Sequence, residues 1–155
     1  MRPDRIIVGE SRGAEVIDML QAMNTGHPGS MSTVHANSSK DAISRLEVMA
    51  SMSNISFSEK ALKTLIASAI DLIVHITRLT DGKRRITHIC EVTGVLDNTI
   101  VEKSVFSFDQ SGIGENDRVM GCFRGKGHIP KAAEHIRLSG IALDPEMFSD
   151  VTEIS

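Results

Sequence analysis

The stretch IIVGE, residues 6–10, decides the fold class of this chain. Its three β-branched residues form an apolar run without polar alternation, which is typical of a strand buried on both faces of a parallel sheet. Pro3 precedes the run and Gly9 ends it, so the predicted strand covers residues 6–8. A parallel strand this early in the chain indicates an α/β fold.

The elements after this strand alternate between helix and strand and then become mainly strands. Apolar residues at helical spacing predict helices from residues 14, 39 and 58, with a short strand over residues 31–36. Runs rich in β-branched residues, separated by turn residues, predict the strands of the second half. These strands are expected over residues 72–79, 85–92, 99–108 and 119–123, with a loop over 110–117 and a last helix from Pro130 to near Gly140. The fold class is therefore α/β, with parallel strands first, then an antiparallel β-meander and a C-terminal helix.

The composition excludes several kinds of partner. A length of 155 residues suits one domain. Seventeen Lys and Arg against twenty Asp and Glu leave a net charge of -3, so no general positive field attracts nucleic acid. The chain has no Trp or Tyr on which unpaired bases could stack. Residues 83–85, Lys-Arg-Arg, flank a predicted turn and are interpreted as a solvated charge cluster. We expect no nucleic-acid partner.

The sequence also indicates a cellular compartment. The longest stretch without a formal charge, residues 19–39, is too polar for a bilayer core. Asp4 and Glu10 interrupt an N-terminus whose apolar run is too short for a signal peptide. Cys90 and Cys122 form no CxxC pair and are interpreted as reduced thiols. These features predict a cytoplasmic protein.

Glu10 is the first candidate for chemistry. In parallel α/β sheets the carboxyl ends of the strands face the ligand crevice, and Glu10 follows such a strand directly. A carboxylate fixed there can help to hold Mg²⁺ or orient an attacking water in nucleotide hydrolysis. Many strands nevertheless end in an acid because the chain returns to water, so the pattern alone leaves both interpretations open.

His27 and His35 form the second candidate. An imidazole can donate a hydrogen bond to a phosphate and can change its charge near neutral pH. A metal site would need further ligands at suitable spacing, and the nearby sequence supplies none. We therefore predict no metal site at these residues. The alternative is structural: His27 caps a turn, and His35 forms a hydrogen bond within a strand.

Several ordered motifs resemble one known family. RPDRIIVGESRG (residues 2–13), MLQAMNTGH (19–27) and STVHAN (32–37) resemble the Walker B and histidine boxes of the type II/type IV secretion ATPase superfamily. DAISRLE (41–47) and IASAIDLIV (66–74) resemble the CpaF-like ATPases of Flp/Tad pilus assembly. The similarity continues to residues 141–148 and so covers nearly the whole chain.

The resemblance implies a RecA-like fold and a homo-hexamer that hydrolyses ATP with Mg²⁺ to drive pilus assembly or secretion. It places the ring at the cytoplasmic side of the inner membrane, with membrane platform proteins as partners. Glu10 matches the Walker B glutamate, expected to work with Mg²⁺ and the attacking water. His27 and His35 match the histidine box, expected to couple the γ-phosphate to movement. Arg12 matches the arginine after that glutamate, and Ser11 stands where the family commonly has an apolar residue.

The phosphate-binding loop is the main departure from the family. No segment has the pattern GxxxxGK[ST], and GCFRGKG (residues 121–127) is interpreted as a glycine-rich turn. Because the family's P-loop precedes the residues that match Met1, residues 1–155 are expected to be the C-terminal portion of a secretion ATPase domain. We expect this portion alone to be inactive, less stable than the parent domain and prone to associate. The alternative is a non-catalytic module that docks on a secretion ATPase ring or its membrane platform.

Overall fold

The structure, a computed structural model, describes residues 3–154. The chain divides into two compact units. The first contains the residues up to 71 together with 92–101, and the second contains 72–91 together with the residues from 102 onward. No helix between residues 3 and 154 is long and apolar enough to cross a bilayer.

The first unit contains two short strands and three helices. They are β1 (Ile7–Val8), α1 (Val16–Asn24), β2 (Met31–Ser32), α2 (Ser39–Ser51) and α3 (Glu59–Ala69). Ser38 and Ser58 cap α2 and α3, because their side chains accept hydrogen bonds from the backbone N–H of Asp41 and Ala61. The three helices pack on one another through their apolar faces. The most buried side chains there are Val16, Ile17, Leu20, Leu46, Met49, Ala50 and Ile66.

β1 and β2 form a parallel pair, with Ile7 opposite Met31 and Val8 opposite Ser32. The N–H of Met31 donates to the carbonyl of Ile6 at 3.0 Å. Ile7 is 71% exposed, so the prediction of a strand buried on both faces is wrong for this chain. The predicted strand over residues 31–36 is also too long, because only Met31–Ser32 pair with β1. A sheet of two strands offers too little surface to cover its own apolar side chains.

The second unit contains most of an antiparallel meander, which confirms the prediction for the second half of the chain. Its five strands lie in sequence order and are β3 (Leu72–Arg78), β4 (Arg84–Leu96), β5 (Thr99–Ile113), β6 (Val119–Gly125) and β7 (Val151–Ile154). Residues 92–101, which contain the end of β4, the turn after it and the start of β5, belong to the first unit. β5 continues into the region predicted as a loop from residue 110, and β7 was not predicted at all.

A small apolar core fills the second unit. Val105, Ala133 and Phe148 are buried together, and Ile89, Phe106 and Leu143 pack against them. Ala133 lies on α4 (Lys131–Leu138), whose start agrees with the helix predicted from Pro130, and Phe148 ends the 3₁₀ helix Pro145–Phe148. The carbonyl of Phe148 accepts from the N–H of Gly127 at 2.8 Å, which holds the 3₁₀ helix beside the end of β6.

Two buried carboxylates hold loops of the second unit in place through hydrogen bonds. Glu91 accepts from Nε2 of His128 at 2.5 Å and from the backbone N–H of Lys131 at 2.7 Å, so it anchors the first turn of α4. Asp81, in the turn between β3 and β4, accepts from Nη1 of Arg85 at 2.6 Å. The backbone N–H groups of Lys83 and Val119 also donate to Asp81. Burial acts to raise the pKa of Asp81, but these three donors outweigh it and lower the pKa to about 2.

Candidate functional site

The segments that follow β1 and β2 run side by side and bring Glu10 close to His35. The N–H of Ser11 donates to the carbonyl of Thr33 at 3.3 Å, and the hydroxyl of Thr33 donates to the carbonyl of Gly9. Ser11 is buried, and its hydroxyl lies 3.3 Å from the hydroxyl of Ser32. The ends of two parallel strands therefore fix the backbone on both sides of Glu10.

Glu10, Arg12 and His35 form one cluster. Oε2 of Glu10 lies 2.7 Å from Nη2 of Arg12, and Oε1 lies 3.0 Å from Nε2 of His35. The Glu10 side chain is 24% exposed, whereas those of Arg12 and His35 are 75% and 79% exposed. A half-buried carboxylate thus has two cationic or potentially cationic partners that reach into solvent.

The electrostatics of the cluster favour an ionised Glu10. The hydrogen bond from Arg12 lowers the pKa of Glu10; burial opposes this, and the charges of Arg12, His35 and Arg45 lower it further. The same hydrogen bond raises the pKa of Arg12. An ionised carboxylate has about four lone-pair positions, so Glu10 retains acceptor capacity beyond its two partners.

The turn that carries Arg12 is fixed by Glu15. Oε1 of Glu15 accepts from the backbone N–H of Arg12 at 2.7 Å and of Gly13 at 3.0 Å. These hydrogen bonds lower the pKa of Glu15, which keeps its carboxylate ionised at neutral pH. Glu15 directly precedes α1, where a negative charge is also favoured by the helix dipole. The turn therefore constrains the backbone from which the Arg12 guanidinium reaches Glu10.

His27 lies outside this cluster. Its Nδ1 is 3.1 Å from the carbonyl of Ala22, near the end of α1. Its own carbonyl accepts from the Ser30 hydroxyl at 2.7 Å, and Ser30 in turn accepts from the N–H of Ile6 at 3.0 Å. The His27 loop is thereby connected to the start of β1. Within residues 3–154, the hydrogen bond of the His27 ring leads to the end of α1 and not to Glu10.

Sequence reasoning did not identify Arg45 or Ser30. Arg45 lies on α2 and contributes positive charge at Glu10, and Ser30 joins the His27 loop to β1. Neither residue stands in a motif whose spacing relates it to residue 10, so only the folded chain reveals the relationship.

The glycine-rich stretch 121–127 lies in β6 and the turn after it, and α4 begins only at Lys131. That placement agrees with the prediction of a turn and differs from a phosphate-binding loop that opens a helix.

The cluster suits a metal ion only when another molecule supplies ligands. Among residues 3–154, no three His, Cys, Asp or Glu side chains converge as a metal site. Mg²⁺ is commonly held by one or two carboxylates together with phosphate oxygens and waters. The ionised carboxylate of Glu10 fits one such position, and the exposed groups of Arg12 and His35 fit an anion beside it.

These features define an α/β protein in which parallel strands end at a carboxylate, an arginine and a histidine. The chain belongs to the type II/IV secretion system protein family, whose sequence model matches residues 1–128. This membership confirms the resemblance at the level of the family.

Individual relatives agree with this assignment. The chain is 44% identical to a putative conjugal transfer protein of Mycobacterium tuberculosis over 89 residues, which are 57% of this chain and 25% of that protein. It is 40% identical to the conjugal transfer protein TrbB of Rhizobium radiobacter over 98 residues, covering 63% of this chain and 29% of TrbB. The chain thus spans between a quarter and a third of these relatives.

A solved structure supports the fold. The chain is similar to the crystal structure of the VirB11 ATPase from the Brucella suis type IV secretion system in complex with sulphate, with a TM-score of 0.55 and 28% identity. The similarity covers 59% of this chain and 28% of the VirB11 chain. The expected fold class, α/β and related to a secretion ATPase, is confirmed by this similarity.

Proposed function

We propose that this chain forms the C-terminal portion of an ATPase that powers type II or type IV secretion or the assembly of a Flp/Tad pilus. The observation that carries the proposal is the contact of Glu10 with His35 at the ends of β1 and β2. Parallel strands deliver ligands to such an edge, and a fixed carboxylate beside two basic groups suits the phosphates of a nucleotide. Family membership and the similarity to the VirB11 ATPase support the same function.

Each residue of the cluster has a defined task in this proposal. Glu10, held ionised by Arg12, accepts a hydrogen bond from the attacking water and so orients it. His35 donates from Nε2 either to Glu10 or to a phosphate oxygen, and exchange between the two acceptors connects the state of the nucleotide to the loop after β2. Arg12 acts as a positioning residue through its hydrogen bond to Glu10. Mg²⁺, when bound with ATP, would neutralise phosphate charge beside this carboxylate.

His27 has a different task. Its ring contacts the carbonyl of Ala22, and its loop is joined to β1 through Ser30. A nucleotide phosphate could compete with that carbonyl for the imidazole N–H. The proposal therefore assigns His27 to a relay between the nucleotide and the end of α1, in line with the resemblance to the histidine box.

The proposed assembly rests on the family resemblance. The CpaF-like motifs support a Flp/Tad pilus role, a homo-hexameric ring and a position at the cytoplasmic side of the inner membrane beside platform proteins. The chain contains no GxxxxGK[ST], so the proposed ATP site requires a P-loop from polypeptide outside this sequence. That requirement also favours the second candidate, a non-catalytic module that docks on such a ring or its platform.

ATP hydrolysis distinguishes the two candidates. The chain would be assayed alone and after fusion to the P-loop-bearing part of a relative. We expect no turnover alone and Mg²⁺-dependent turnover after fusion. A folded fusion that assembles yet does not hydrolyse ATP would contradict the ATPase proposal and support the docking module.

A further inference from the structure

A second carboxylate, that of Glu15, reaches the Glu10 cluster through the backbone. Its Oε1 accepts from the N–H of Arg12 at 2.7 Å and from the N–H of Gly13 at 3.0 Å. The guanidinium of the same Arg12 donates from Nη2 to Oε2 of Glu10 at 2.7 Å. Arg12 is therefore held by one carboxylate at its backbone and by another at the end of its side chain.

Glu15 is in turn attached to the helical core. It directly precedes α1, and the N–H of Val16 donates to the carbonyl of Gly13 at 3.2 Å, so the turn continues into the helix. Val16 and Ile17 are 0% and 1% exposed. Segments with such buried side chains are among the last to open in a folded protein. Glu15 thus fixes the backbone of Arg12 relative to the most rigid part of the first unit.

Gly13 leaves room for this carboxylate. A Cβ added at Gly13 would lie 3.1 Å from Oε2 of Glu15, which is closer than most Cβ contacts in proteins. Gly13 does not have a positive φ, so the approach of Glu15, and not the backbone conformation, favours glycine at this position. A side chain at residue 13 would therefore displace the Glu15 carboxylate without removing its charge.

We propose that Glu15 is a positioning residue for ATP hydrolysis, which holds Arg12 so that its guanidinium stays on Glu10. This inference rests on the proposed function, in which Glu10 orients the attacking water. The Arg12 side chain is 75% exposed, so without a fixed backbone it would readily leave Glu10 for water. Glu15 acts as a hydrogen-bond acceptor and not through its charge, because a negative charge near Glu10 would oppose the ionisation of Glu10.

ATP turnover by the fusion with a P-loop-bearing segment tests the role in the reaction. We expect Glu15→Ala to lower kcat about tenfold and to leave KM for ATP within about twofold, because a displaced Arg12 affects the orientation of water and not the binding of nucleotide. Glu15→Gln keeps the acceptor oxygen and should retain kcat within about threefold of the wild type. Gly13→Ala keeps the charge but crowds the carboxylate, so its kcat should fall toward that of Glu15→Ala.

Two control variants match these changes. Asp18→Asn removes an exposed acid from the first turn of α1, and Gly112→Ala adds a Cβ that meets nothing within 4 Å. Both should keep the wild-type kcat. Equal losses of kcat in Glu15→Gln and Glu15→Ala would overturn the proposal, since the charge would then be the property that matters. An unchanged kcat in Glu15→Ala would also overturn it and would leave Glu15 a purely structural role at the start of α1.

NMR of the complete chain tests the geometry without any ATPase activity. We expect Glu15→Ala to speed hydrogen exchange of the Arg12 and Gly13 amides at least about tenfold and to merge the Nη signals of Arg12, as a freely rotating guanidinium does. Glu15→Gln should stay close to the wild type. Arg12 signals that Glu15→Ala leaves unchanged would overturn the proposal. An inactive wild-type fusion would instead contradict the proposed function, and the NMR result would still decide whether Glu15 holds Arg12.

Discussion

Nε2 of His35 lies 3.0 Å from Oε1 of Glu10, although the two residues follow different strands. The contact depends on the parallel pairing of β1 with β2 and on two hydrogen bonds beyond it, from the N–H of Ser11 to the carbonyl of Thr33 and from the hydroxyl of Thr33 to the carbonyl of Gly9. Arg12 occupies the other carboxylate oxygen. The arrangement brings residues from two separate sequence motifs into one cluster.

The pKa of Glu10 should depend more on Arg12 than on His35. The Arg12 hydrogen bond is the largest cause of the lowered pKa, so Arg12→Gln should bring the pKa back toward 4.5. His35→Gln should raise the pKa by a smaller amount, since His35 contributes only through its charge. NMR titration of the Glu10 side-chain carboxyl measures both effects. A larger shift in the histidine variant would contradict the geometry of the cluster.

The same shift makes stability depend on pH. A carboxylate whose pKa is lower in the folded state stabilises the fold above its unfolded pKa, and this contribution disappears as pH falls through the folded pKa. For Glu10 the loss should therefore begin near pH 4.5 and continue below it. Arg12→Gln should flatten this part of the curve of unfolding free energy against pH, as measured by urea denaturation. An unchanged slope would show that the hydrogen bond is absent in solution.

Asp81 should also make the free energy of unfolding depend on pH in the acidic range. Its pKa of about 2 lies below the ordinary 3.8, so its stabilising effect is present above pH 3.8 and is lost as pH falls toward 2. Asp81→Asn leaves Arg85 without its partner and weakens the acceptor for the N–H of Val119, so the melting temperature should fall by several degrees. Asp97→Asn, in the exposed turn between β4 and β5, is the control and should change little. Equal effects of the two substitutions would refute the assigned role of Asp81.

Within the first unit, loss of an apolar side chain should reduce the free energy of unfolding much more in the helical core than on β1. Ile66 on α3 is fully buried, so Ile66→Ala should lower the free energy of unfolding by about 2–5 kcal/mol. Ile7 on β1 is largely exposed, so Ile7→Ala should cost less than about 0.5 kcal/mol. Urea denaturation of both variants gives the comparison. A large loss from Ile7→Ala would show that a second molecule or further polypeptide covers β1.

The sequence predicted the elements whose local signals agree with their packing. The spacing of apolar residues along α3 predicts that helix, and the Asp-Gly and Asp-Asn pairs predict turns of the meander. Both signals depend only on neighbouring residues. The sequence does not predict β7, because the pairing of β7 with β6 is a contact between segments far apart in the chain and has no local signal. The sequence does not predict the exposure of Ile7, because an apolar run indicates burial but does not supply the neighbouring strands that would bury it.

For the candidate site, the sequence indicates residue types but not their geometry. The motifs indicate Glu10, Arg12, His27 and His35 as candidates, but they do not reveal that Glu10 contacts His35 while the His27 ring contacts Ala22. Such distinctions depend on side-chain directions that follow from the pairing of β1 with β2. The contribution of Arg45 has the same origin, since α2 brings it near Glu10 only in the folded chain.

The affinity of the isolated chain for ATP provides a further test. Without a phosphate-binding loop, the three-residue cluster offers few donors to a triphosphate, so we expect neither low-micromolar affinity for ATP nor measurable hydrolysis. Isothermal titration calorimetry with Mg²⁺ and ATP measures the affinity, and phosphate release measures the hydrolysis. Tight binding would mean that residues 3–154 contain a nucleotide site of another kind.

The most direct test is the rate of ATP turnover after fusion to a P-loop-bearing segment, compared between wild type, Glu10→Gln and Asp18→Asn. Asp18 is an exposed acid on α1 and serves as the matched control. The account predicts that Glu10→Gln lowers kcat by about a hundredfold or more while Asp18→Asn retains it, because only Glu10 orients the attacking water. A Glu10→Gln fusion that hydrolyses ATP at the wild-type rate would contradict the account.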